Sequence, residues 1–167
     1  MARTVKINPW VYDGDEFLAR DTLLADTSAK TWTANTPYVL SSGLVTPVTS
    51  STTTGIKGIL LEDVLTVTAA DIDVKVARIT GRVRWAGYIS NDDDDAAESD
   101  VTVGTAYGIR VANNGDSKSV VTINKNDTSG AVFIVDDVMS NRNPLQYATT
   151  DSPGVCIGRY TQAVIDG

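Results

Sequence analysis

Histidine is absent from this 167-residue chain, and cysteine occurs once. Without histidine there is no Ser-His-Asp or Cys-His nucleophile and no histidine-ligated zinc. The usual general base near neutral pH is missing too. The lone Cys156 excludes an intrachain disulfide and cannot by itself hold a zinc or an iron–sulfur cluster. Set between Val155 and Ile157, it reads as a small core residue, because free cysteine is among the most buried residue types.

Glutamate is scarce as well: Glu16, Glu62 and Glu98 are the whole supply. Paired-carboxylate catalysis needs one acid raised in pKa by burial. Glu98 lies in an acidic loop, where hydration is expected to keep it ordinary. Glu62 and Asp63 follow a buried strand, but neighbours on a strand point to opposite faces. The chain is therefore not expected to be an enzyme, and no cofactor is expected.

Basic residues are the minority, 14 against 21 acidic, for a net charge of −7. Phosphate backbones require a concentrated basic surface, so no nucleic acid is expected as a partner. Gly55-Ile56-Lys57-Gly58 lacks the spacing of a phosphate-cradling loop. No apolar run approaches the ~18 residues of a membrane span, and no secretory leader opens the sequence. The expectation is synthesis in a cytoplasm without membrane association, the chain staying there or leaving inside a larger particle.

What is present is valine, isoleucine and threonine in short alternating segments, the composition of strands. Ile79, Val83, Trp85 and Ile89 share one parity, and Arg78, Thr80, Arg82 and Arg84 the other. Val101, Val103, Thr105, Tyr107, Ile109 and Val111 form a second apolar parity. Between these arms lies Asn91-Asp92-Asp93-Asp94-Asp95-Ala96-Ala97-Glu98-Ser99-Asp100. The pattern predicts a long hairpin with its acidic tip at about 90–100, Trp85 facing Thr105 and Arg82 facing Gly108. Arg78, Arg82 and Arg84 would then form a subunit or capsid contact face. Four consecutive aspartates lack the spacing of a calcium loop and read as a solvated tip, so no metal is assigned.

Residues 1–36 differ from the rest. Pro9 and the Asp13-Gly14-Asp15 turn interrupt short apolar pieces, and no face is apolar enough to fold alone. An extended N-terminal arm is expected here, anchored by Val5, Ile7, Trp10, Tyr12, Phe17 and Leu18. Residues 37–167 are expected to form one β-rich domain, a compact barrel of short strands separated by turn signals such as Asn113-Asn114-Gly115-Asp116.

Gly43-Leu44-Val45-Thr46-Pro47-Val48, Gly58-Ile59-Leu60-Leu61-Glu62-Asp63-Val64 and Val74 to Val83 resemble the head decoration, or cement, proteins of tailed bacteriophages. The resemblance spans about residues 37–90. It implies an all-β fold of the β-tulip kind, assembled as a homotrimer on the capsid exterior of a virion. The partner it implies is the major capsid protein, reached by the N-terminal arm, which would bridge and stabilise capsid subunits. The acidic hairpin departs from the smallest members. Two other classes stay open on the residues alone. One is a different virion component, a tail tube or fibre base. The other is a glycan-binding β module stacking sugars on Trp32, Trp85 or Tyr88.

Overall fold

The computed structural model describes residues 7–25, 31–50, 52, 55–65, 72–113, 119–129 and 132–161. In the first half of the chain the strands are β1 (Trp10–Asp13), β2 (Ala19–Ala25), β3 (Thr31–Trp32), β4 (Pro37–Ser41), β5 (Leu44–Pro47), β6 (Gly58–Leu60), β7 (Val64–Leu65) and β8 (Ile72–Arg78). The second half adds β9 (Arg84–Ser90), β10 (Ala106–Asn113), β11 (Ser119–Asn124), β12 (Phe133–Val138) and β13 (Val155–Tyr160). One short helix, α1 (Met139–Arg142), follows β12. The fold is all-β.

Two sheets each close on themselves. The first is a barrel in the order β2-β5-β4-β6-β8. The second runs β1-β9-β11-β10-β12-β13, and a further β9–β13 pairing turns its last five strands into a ring. Closure removes most of the open edge that a lone sheet would present.

Alternation explains the first barrel. Val74 and Val76 of β8 join Ala25, Tyr38, Val45 and Leu60 in its interior, while Asp73 and Lys75 face water. Ala77 breaks the alternation and is buried on the outer side. There it shares a core with Ile59, Trp85, Ile123 and Phe133, so the two barrels are fused through one apolar contact.

Strand β9 is buried on both faces. Trp85 and Ile89 point into that shared core, while Ala86 and Tyr88 lie beneath Met139, Val155 and Ile157, with Trp10 and Tyr147 packed against them. Its edges are also full: β1 and, further on, β11 occupy one, and β13 the other.

The expected long hairpin is not formed. β10 pairs with β11 and β12, never with β9, and the Trp85–Thr105 and Arg82–Gly108 pairings do not occur. The connection is too structured to be a simple tip. Ala96 donates its N–H to Ile89, and Gly154 donates to Ala96, which lays the loop beside β9. Only Tyr107, Ile109 and Val111 of the second arm keep the alternating parity on a strand; Val103 stands 52% exposed in a turn.

The N-terminal arm is also corrected. β1 pairs antiparallel with β9, and β2 pairs with β8 along its whole length from Ala19↔Arg78 to Ala25↔Ile72. A segment that cannot fold alone is completed by two sheets of its own molecule.

Candidate functional site

The arm residues proposed from sequence divide into three groups. Val5 lies outside the described residues. Trp10 and Leu18 are half-buried: Trp10 tilts against Tyr88 with ring centroids 5.6 Å apart, and Leu18 packs on the shared core. Ile7, Tyr12 and Phe17 remain on the exterior at 51%, 41% and 39% exposure.

The three arginines each meet the chain's own N-terminal segment, with Arg78 and Arg82 still exposed. Arg82 lies over the Phe17 ring at 5.4 Å from its centroid, a cation–π contact. Arg78 donates from Nη2 to Asp21 Oδ2 at 3.0 Å, and Arg84 sits opposite Asp13 in the β1–β9 register. Gly14, at φ 89°, sits so close to this wall that an added Cβ would approach the Arg82 carbonyl oxygen to 2.9 Å.

The acidic loop is anchored at both ends. Asn91 Oδ1 accepts the N–H groups of Asp93 and Asp94, and Arg110 donates to the carbonyls of Asn91 and Asp93. Asp92 accepts from the Asn124 and Asn126 side-chain amides at 2.9 and 3.0 Å. The Asn124 amide first, then that of Asn126, hold its carboxyl below the ordinary carboxylate range. Among the described residues, no three Asp, Glu or Cys side chains converge as a metal site would require.

Glu98 overturns the hydrated-loop expectation. It is 3% exposed and accepts the backbone N–H groups of Ser140 and Val155, clamping the loop to α1 and β13. Gly154 makes room for this. A Cβ there would stand 2.4 Å from the Glu98 nitrogen. Adjacent carboxylates in the sequence gave no sign of which one would turn inward.

Other chemistry-bearing groups are sealed. Cys156 is buried, and burial pushes its thiol up to about 12. Burial likewise raises the Tyr160 and Tyr38 hydroxyls, neither of which has a hydrogen-bond partner among the described residues. The proposed sugar platforms are unavailable for stacking: Trp32, Trp85 and Tyr88 are 5%, 0% and 5% exposed.

Sequence reasoning missed Asn8 altogether. Its amide nitrogen donates to Thr33 Oγ1, the Ala34 carbonyl and Thr36 Oγ1, and its oxygen accepts the Val121 N–H. One side chain thereby ties the first barrel's approach to β11. Beside it is a cavity of about 250 Å³, bounded by Trp32, Val48, Val120 and Val121. A second cleft of about 360 Å³ opens at the end of the first barrel, between Leu23, Leu40, Lys57, Arg78 and Ile79. Among the described residues, the lining of neither cleft sets a nucleophile against a base.

No family model, no curated protein and no solved structure matches this chain.

Proposed function

We propose that this chain is a virion structural protein that binds the outer surface of a phage capsid and stabilises it by bridging capsid subunits, working as a homotrimer. The observation that carries the reading is where the resembling segments fall. Leu44–Pro47, Gly58–Leu60 and Ile72–Arg78 are separated in sequence, yet they are three staves of the same closed barrel. The strands at the heart of the three segments therefore share one structural unit, although the span 37–90 also takes in β7 and β9 outside it.

The use of polar side chains agrees with an architectural role. Asn8, Glu98 and Asp92 hold segments of the molecule to each other. With the N-terminal segment folded in, the capsid contact is carried by a fixed surface, on which Ile7, Tyr12 and Phe17 are exposed. Rigid aromatic contacts lose little conformational freedom on binding.

Cosedimentation with expanded phage heads lacking the protein tests this reading, together with the mass in solution by analytical ultracentrifugation. Saturable binding by a trimer supports it. A monomer that leaves the heads undecorated at micromolar concentration refutes it.

A further inference from the structure

The first barrel closes unevenly. β8 flanks β2 over all seven residues, but β5 reaches β2 only at Ala25↔Val45. Among the described residues, no strand lies on the other edge of β2 from Ala19 to Leu24. Thr22 shows what that edge does instead: its N–H turns to the carboxylate of its own neighbour, Asp21, at 2.8 Å. An open strand edge is a template for pairing with another chain.

Two further observations coincide there. Leu24 and Leu40 are 49% and 44% exposed, and Leu40 joins Leu23 and Ile79 in walling the cleft at the barrel's end. The same cleft carries Lys57 and Arg78 in a chain of net charge −7. Arg78 uses Nη2 on Asp21, and a guanidinium has five N–H donors, so a second carboxylate fits beside the first.

We propose that the open edge of β2 is a strand-addition site for an extended segment of a partner protein that carries apolar and acidic residues on the same face of the strand. Main-chain hydrogen bonds to Arg20, Thr22 and Leu24 supply the pairing. Side chains of one parity enter the cleft, an apolar one against Leu23 and Leu40 and a carboxylate at Arg78 and Lys57. The proposal stands apart from the capsid reading, since it names a surface and a partner chemistry whatever particle the partner belongs to.

The test uses the full chain and a fluorescein-labelled synthetic peptide of about eight residues, a typical strand length, repeating Val-Thr-Glu-Thr so that valine and glutamate share one face. Fluorescence anisotropy reports binding, and hydrogen exchange reports which amides it protects. The expected result is saturable binding with slowed exchange confined to residues 19–24. Thr22→Pro keeps the β8 ladder but blocks the open edge, and abolishes binding. Arg78→Gln, or lysine in place of the peptide's glutamates, weakens it by about tenfold, the value of one charge-assisted hydrogen bond. No binding by the valine–glutamate peptide overturns the proposal, as does protection elsewhere than 19–24 in the unsubstituted protein. Self-association that Thr22→Pro abolishes also overturns it, by assigning the edge to a second copy of the chain.

Discussion

Asn8 and Val121 stand 113 positions apart in sequence, and the Val121 N–H donates to the Asn8 side-chain oxygen at 2.8 Å. Because the Asn8 amide nitrogen is bonded to Thr33, Ala34 and Thr36, this one side chain joins the second barrel to the turn leading into β4 of the first. Asn8→Ala leaves the Val121 N–H unpaired in a buried site. We expect a loss of about 2–3 kcal/mol, the cost of stranding buried polar groups. Urea unfolding should show a lower midpoint with an unchanged slope.

Glu98 is the second polar fastener. Glu98→Ala removes the acceptor for Ser140 and Val155 and opens a void beneath Gly154. Native-state hydrogen exchange should show the Ser140 and Val155 amides exchanging much faster, along with loop residues Ala96 and Asp100. Glu98→Gln retains one acceptor oxygen, so it should lie between the alanine variant and the natural protein.

Asp92 gives a pH dependence whose sign is fixed. Its folded pKa is depressed by the Asn124 and Asn126 amides. The stability it contributes is therefore present above the ordinary aspartate value of about 3.9 and is lost as pH falls through the depressed folded value. Carboxyl chemical shifts followed from pH 6 downward should place its midpoint below the ordinary aspartate range. Asn124→Ala should move the midpoint up.

Cys156 should be silent in the native protein. A thiol pushed up to about 12 carries almost no thiolate at pH 8, and burial blocks access besides. The thiol reagent DTNB should react only as fast as the chain unfolds. Prompt stoichiometric reaction would contradict the buried placement.

Much of the local structure was legible in the sequence. The all-β class, the shared parity of Trp85 and Ile89 and that of Tyr107, Ile109 and Val111 all appear in the fold. Strand pairing was not legible, because parity identifies a face and not a partner. Ile89 and Val101 read equally well as neighbours, until β11 occupies the edge of β9 that β10 would have needed. The arm was misread for a related reason. Tyr12, Asp13 and residues 19–22 are exposed, so the segment looks polar, yet its backbone is strand-paired in β1 and β2. Glu98 was illegible because nothing local distinguishes it from Asp95 or Asp100.

The N-terminal segment is part of the fold, through β1 on β9 and β2 on β8. Deleting residues 1–25 and recording urea unfolding by tryptophan fluorescence tests this most directly. With β1 and β2 gone, β8 loses one of its two partners, the first barrel is opened and the Trp10 cover over Tyr88 disappears, so the truncated chain should show no cooperative transition. A soluble truncated protein that unfolds as sharply as the full chain, at the same midpoint, would contradict the account.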